Sequence, residues 1–211
     1  MSDERRPLGP LGKTLLAIGV LLALALAGVT LLAWIEKTRV RTPEAAKHWV
    51  WSEEQESLKD HATKLFPELN VALIATPTSA RTWPANMTLE LSEGGRVLLR
   101  VDVWEVPRTG GRYFSRTAIA RSGSLVLVSE FSPISTGCSI SAYDLESGMK
   151  VWHTDLEGLG PIDHSKYSNR VQMEVIDRVL VVRGWEAAGR YIECLSISDG
   201  RRVWHEKQGP P

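Results

Sequence analysis

The residues with the most chemical capability lie between Thr154 and Arg170, where Gly158, Gly160 and Pro161 are followed by Asp163, His164, Ser165, Lys166 and Tyr167. Asp, His and Ser are the residue types of a hydrolytic triad, but three consecutive positions cannot stack nucleophile, base and orienter in line. Pro, Asp, Ser and Gly are also what ordinary turns require. The use left to them is ligand contact: Asp163, His164 and Tyr167 place an acid, a titratable ring and a phenol on one loop of a rigid scaffold. Trp185 joins this candidate ligand-binding set, because Trp185-Glu186-Ala187-Ala188-Gly189 reads as a hairpin with an aromatic at its mouth that binds a ligand or caps the strands.

His153 and His205 stand 52 positions apart in matching contexts and could in principle share a metal. No carboxylate recurs with them, so the pair is read as a repeated position without metal chemistry. There is no phosphate-binding glycine loop, no recognisable catalytic carboxylate pair and no His-Glu-x-x-His segment. No catalytic residue, metal ligand or cofactor is assigned. Cys138 and Cys194 are the only cysteines. Cys194 falls in mid-strand, whereas Cys138 aligns with Arg190 ahead of that strand, so the pair is expected beyond the roughly 7 Å limit for a disulfide. Two free thiols are predicted.

The frame that positions these residues is a repeat. Leu145 to His153, Leu-Glu-Ser-Gly-Met-Lys-Val-Trp-His, returns as Ile197 to His205, Ile-Ser-Asp-Gly-Arg-Arg-Val-Trp-His. An acid or hydroxyl, then Gly, then Val-Trp describes a tight turn feeding a half-buried strand. Leu91 to Leu98 is a worn copy, 54 positions before Leu145, with Gly94-Gly95 at the turn and Leu98 in place of Trp. Within each good repeat four strands are predicted: Ile119-Ala120, Leu125 to Val128, Ile140 to Leu145 and Met149 to Thr154, then Val171 to Ile176, Val179 to Val182, Tyr191 to Ile197 and Arg201 to Glu206. Both sets read as antiparallel meanders. The fold class is therefore mainly β, with two to three four-stranded, propeller-blade-like repeats over 71–211.

Ahead of them the chain divides into a tail (1–13), an uncharged apolar run (14–35) and a juxtamembrane helical segment (36–70). The apolar run suits one bilayer crossing, which takes about 20 residues. Its main rival is a cleavable signal peptide ending near Ala25-Leu26-Ala27, but the apolar character continues well past that point. Basic residues lie on both sides, so flanking charge does not set the orientation. The large C-terminal part is placed outside the cytoplasm, periplasmic or extracellular, because long domains behind N-terminal anchors usually translocate. Thr42-Pro43-Glu44 opens one helix. Ser52 to Gln55 forms a capping box for a second over 53–66, with Leu58, Ala62, Leu65 and Phe66 as its apolar stripe. Trp49 and Trp51 precede that box, and Asn86-Met87-Thr88 is a sequon. Lys and Arg number 25 against 25 Asp and Glu, so no field favours nucleic acid.

The stretch Ala142 to Trp152 resembles the blade-closing segment Asp-x-x-Thr-Gly-x-x-x-Trp of the PQQ-like, or quinoprotein-like, β-propeller repeat, with Ser147 for the usual Thr; Ser196 to Trp204 is a looser copy. The resemblance covers roughly Leu89 to Glu206. It implies structural roles for Gly148, Trp152, Gly200 and Trp204, each Trp packing between blades. The family includes dehydrogenases using pyrroloquinoline quinone and calcium, as well as non-enzymatic scaffolds of outer-membrane assembly. Propellers close with 4 to 8 blades, and the enzymes use about eight. Two or three blades cannot surround that cofactor, and the adjacent-cysteine disulfide of the enzymes is missing. The expected function is a membrane-anchored binding or scaffold module, with an enzyme or enzyme subunit of a quinone-dependent oxidoreductase complex as the other class. Expected partners are the membrane, through one helix, and a protein or a second copy at exposed sheet edges, which the helix at 53–66 is expected to cap.

Overall fold

The computed structural model describes residues 18–31, 40–51, 57–75, 85–106, 114–115, 117–131, 138–159, 170–186 and 189–209. The chain separates into two units, Met1–Val40 and Arg41–Pro211. The described part of the first is a helix over 18–31, α1. Among the described residues no helix is long and apolar enough to cross a membrane, and the expected span 14–35 extends beyond them at both ends.

The second unit begins with a single 3-10 turn, Glu44–Lys47, in place of the helix expected from Thr42-Pro43-Glu44; the residue before it is Pro43, whose side chain has no atom to cap with. The next helix, α2, is Leu58–Leu65, shorter than the 53–66 expected. Its cap is Ser57, whose Oγ accepts from the Asp60 amide at 3.1 Å, and the predicted box at Ser52 to Gln55 lies outside the described residues. Leu58, Ala62 and Phe66 are buried, as the stripe predicts.

Twelve strands follow: β1 (Asn70–Ala75), β2 (Ala85–Glu93), β3 (Arg96–Val106), β4 (Phe114–Ser115), β5 (Ile119–Ser122), β6 (Leu125–Phe131), β7 (Cys138–Asp144), β8 (Lys150–Asp155), β9 (Arg170–Ile176), β10 (Val179–Glu186), β11 (Gly189–Ser196) and β12 (Arg202–Gln208). They form three four-stranded antiparallel sheets, β1 to β4, β5 to β8 and β9 to β12, each a meander in chain order. Period-2 alternation gives each strand two faces, and the second sheet buries both of its own. Val126 and Val128 join Leu89, Leu91, Leu99, Val101 and Val103 of the first sheet in one core. Leu127, Ile140, Ala142 and Trp152 join Leu180, Val182, Leu195 and Ile197 of the third in another.

The repeated turns lock these layers together. Gly200 has φ of 71°, and a Cβ placed on it would fall 2.5 Å from Cε3 of Trp152. The Trp152 indole N–H donates to the Ile197 carbonyl at 2.8 Å, and Thr154 Oγ1 donates to the Gly200 carbonyl at 2.8 Å. Gly148 repeats the contact one layer earlier, where a Cβ would fall 2.7 Å from the Leu98 carbonyl oxygen.

The stretch read as a worn copy forms a hairpin that differs from the expectation in two ways. It joins the second and third strands of its sheet, not the third and fourth. Its turn is also tighter: Leu91 pairs with Leu99, eight positions on, whereas Ala142 pairs with Trp152, ten positions on. Leu99 rather than Leu98 therefore sits across from the strand residue that Trp152 faces in the next sheet. Each of the three hairpins carries a register shift just before its turn, at Leu91/Ser92, Ala142/Tyr143 and Cys194/Leu195.

The helix packs on β1 and β5, an edge strand of each of the first two sheets, beside the core between them, with Arg121 Nη1 donating to the Leu65 carbonyl at 3.0 Å. The outward face of the third sheet is met by residues 41–51. Arg183 Nε donates to the His48 carbonyl at 3.3 Å, and Trp51 meets Trp185 edge to face at 5.6 Å between centroids. The outward face of the first sheet is polar, with Thr88, Glu90, Arg100 and Asp102 alternating with its core residues and an Arg100–Glu90 ion pair at 2.7 Å.

Trp152 is 8 % exposed and Trp204, its counterpart on the outward face, is only half-buried. Trp152→Ala is expected to lower the unfolding free energy by about 3–5 kcal/mol. Trp204→Ala should lower it by less than half as much, both measured by urea titration followed by circular dichroism.

Candidate functional site

Asp163, His164 and Tyr167 lie outside the described residues, but the root of their loop is described and shows what holds it. Leaving β8, the chain crosses to the third sheet and is seized by a polar cluster. Glu193, fully buried, accepts from the Gly158 amide at 2.6 Å and from Arg202 Nε at 2.8 Å. Arg202 Nη2 donates to the Asp155 carbonyl at 3.1 Å, and His205 Nε2 lies 3.0 Å from the Gly158 carbonyl oxygen. The Glu157 carboxylate sits 3.4 Å from Lys207, 3.5 Å from His205 and 3.6 Å from Arg202. The charge of His205, then Lys207 and Arg202, holds the Glu157 carboxyl below the usual carboxylate range. A buried carboxylate that accepts from a backbone amide and from a guanidinium is a satisfied structural group, and here it clamps the first residues of the loop.

Repeat symmetry places a second cluster one sheet earlier. His153 is the counterpart of His205, Lys150 of Arg202 and Ser141 of Glu193. Ser141 Oγ lies 2.9 Å from His153 Nδ1, and Asp155 Oδ1 lies 3.4 Å from His153 Nε2. The triad residue types thus meet here and not among Asp163, His164 and Ser165. Ser141 is fully buried, however, which bars it from a substrate carbonyl. The centre of the cluster is Glu130, which accepts from the Tyr143 hydroxyl at 2.8 Å and from Lys150 at 3.1 Å. Burial would raise the Glu130 pKa, but hydrogen bonds from Ser141, Tyr143 and Lys150 outweigh it and hold the carboxyl below its ordinary range. Burial and the same carboxylate push the Tyr143 phenol up.

Each histidine therefore has carboxylate neighbours, from different places: Glu130 and Asp155 for His153, Glu157 and Glu193 for His205. Among the described residues no group of three or more His, Cys, Asp or Glu side chains is placed to hold a metal ion. The sequence reading passed over Glu130, Glu157, Glu193 and Arg202. Antiparallel pairing was the signal that could have found two of them, since Glu193 faces His205 and neighbours Arg202 across the ladder.

Trp185, the fourth candidate, is drawn into a stack: Trp49 and Trp51 lie parallel at 5.6 Å, Trp185 meets the edge of Trp51, and Arg190 lies 5.2 Å over Trp49. It stands near the end of β10. Both cysteines are buried and no disulfide joins them, and burial pushes the Cys194 thiol up to about 11, which leaves it unreactive at neutral pH. No protein-family model matches the chain, and no curated protein matches it significantly.

Glu193→Ala removes both the acceptor of the Gly158 amide and the partner of Arg202, so stability is expected to fall by about 2–4 kcal/mol; Glu193→Gln, which keeps an acceptor, should lose less. Glu130 and Glu157 both have lowered folded pKa values, so the stability they contribute is complete above the ordinary carboxylate range. It is lost as pH falls through the lowered values. Hydrogen exchange at residues 156–159, corrected for intrinsic rates, should show the clamp opening on acidification and staying closed from neutral pH down to the carboxylate range.

Proposed function

We propose that this chain is a single-pass, membrane-anchored β-repeat protein whose C-terminal unit lies outside the cytoplasm and serves as a binding or scaffold module for a protein partner. One observation carries the reading. Along α1 the large apolar side chains are exposed on every side, from Ile18 at 49 % to Leu21 at 67 %, while the β unit buries its own apolar faces. A helix apolar all round belongs in a core or a bilayer.

The β unit supports the second half of the reading. Its polar clusters hold the chain to itself: Glu193 clamps the loop root, and Glu130 neutralises Lys150. Residues 41–51, which follow the apolar run in the chain, are fixed to the third sheet through Arg183, Trp185 and Arg190.

The full chain is expected to stay in the pellet when membranes are washed with alkaline carbonate, and the chain lacking residues 1–36 is expected in the soluble fraction. Recovery of the intact chain as a soluble protein would remove the tether from the proposal. Dye reduction by the purified protein that depends on added pyrroloquinoline quinone and calcium would move it to the quinone-dependent class.

A further inference from the structure

Each sheet is a meander, so its connections fall alternately at its two ends. One end of the first two sheets carries the short turns at 94–95, 123–124 and 145–149, together with the stretch 66–69 that leads into β1, and all of these lie among the described residues. That end leaves apolar side chains in water. Val97 is 39 % exposed, Met149 69 % and Val151 50 %, three of the five large apolar residues exposed in the second unit among the described residues. They adjoin one another. A Cβ on Gly148 would fall 2.7 Å from the Leu98 carbonyl oxygen, so Met149, beside Gly148, comes next to Val97, beside Leu98. Val151 follows as the residue that the register shift between Ala142 and Tyr143 leaves without a partner. Single exposed apolar residues are ordinary, but a group of three on two abutting hairpins marks a contact surface.

The charges around this group select its occupant. Glu93 and Arg96 on the β2–β3 turn and Glu146 on the β7–β8 turn are exposed, and they form no ion pair among the described residues. Lys150, which also borders the group, is taken by Glu130 at 3.1 Å. A partner of one charge would be attracted by Arg96 and repelled by Glu146, or the reverse. A second copy brings both signs in matching order, because a twofold axis between the turns sets the β2–β3 turn of each copy against the β7–β8 turn of the other.

We propose that this patch joins two copies of the chain about a twofold axis at Met149. Val97, Met149 and Val151 of both copies lie at the centre, and Arg96 of each faces Glu146 of the other. The proposal rests on the binding-module reading and deepens it by naming the partner. Such a contact is self-complementary and closes at two copies. Three apolar side chains from each copy make a small interface, so the dimer is weak in solution and gains when both copies are tethered to one bilayer.

The test is Met149→Cys in the full chain, oxidised with copper phenanthroline in membranes and in mild detergent and read by non-reducing electrophoresis. Cys138 and Cys194 are buried, so the introduced thiol is the exposed one. M149C is expected to form a disulfide-linked dimer severalfold faster than Arg178→Cys, an equally exposed position on the β9–β10 turn. In the M149C background, Arg96→Glu and Glu146→Arg should each slow the linkage roughly three- to tenfold, since two symmetric pairs turn from attractive to repulsive. The double swap R96E/E146R should restore it. All these positions are exposed, so the fold should survive, as thermal melts will verify. Equal rates for M149C and R178C, linkage of M149C chiefly to another protein, or a rate indifferent to both single swaps overturns the proposal. Carbonate washing of the same membranes keeps the two readings apart: a chain that pellets without cross-linking loses only this interface, and a chain found in the soluble fraction loses the tether.

Discussion

The contact between a turn glycine and the aromatic ring of the preceding layer is what the rest of the molecule depends on. Gly200 lies so close to Trp152 that any side chain there would collide with the indole, and its φ of 71° is the left-handed value that glycine adopts without strain. The same approach brings the Trp152 N–H to the Ile197 carbonyl and the Thr154 hydroxyl to the Gly200 carbonyl. A buried indole N–H needs an acceptor, so the ring is fixed in rotation as well as in depth. With that contact in place, Leu127, Ile140 and Ala142 share one core with Leu180, Val182 and Leu195.

A stack of three sheets has two outer faces, and the chain treats them differently. The first sheet turns Thr88, Glu90, Arg100 and Asp102 to solvent, so its outer face needs no cover. The third turns Val181, Ile192 and Cys194 outward, all buried, and residues 41–51 lie on that face with Trp49 and Trp51. Arg183, 5 % exposed, would be an isolated buried charge there without Glu174 and the His48 carbonyl. The segment just before the sheets in the chain thus meets the last of them, while α2 fits beside β1 and β5.

Repetition at the level of the backbone did not preserve chemistry at the level of side chains. The position opposite the repeated histidine is Ser141 in one sheet and Glu193 in the other, and the cation two strand positions away is Lys150 or Arg202. In the third sheet the carboxylate partner comes from the loop, as Glu157; in the second it comes from β6, as Glu130. Both clusters end neutralised. This is the reason the histidines, which the sequence makes conspicuous, act as parts of anchors, and the loop they adjoin is held at its root.

What the sequence determined by itself is everything that follows from local spacing. Period-2 alternation and Gly turns specified the strands of the last two sheets to within a few residues, since a strand's burial pattern is written in consecutive positions. The 52-residue repeat predicted equivalent places for Trp152 and Trp204, and their backbone positions are equivalent. What the sequence did not determine was which elements meet. That Glu193 would hold the Gly158 amide, that Trp185 would meet Trp51, and that Leu99 would replace Trp in the worn copy depend on a crossing between sheets, a chain segment far away and a turn shorter by two residues. Such contacts are set by three-dimensional proximity and by turn length, which flips every later side chain to the other face when it changes by one. Only the tertiary structure decided that Trp152 is enclosed while Trp204 is not, because the two share a local sequence and differ only in what stands on the far side of the sheet.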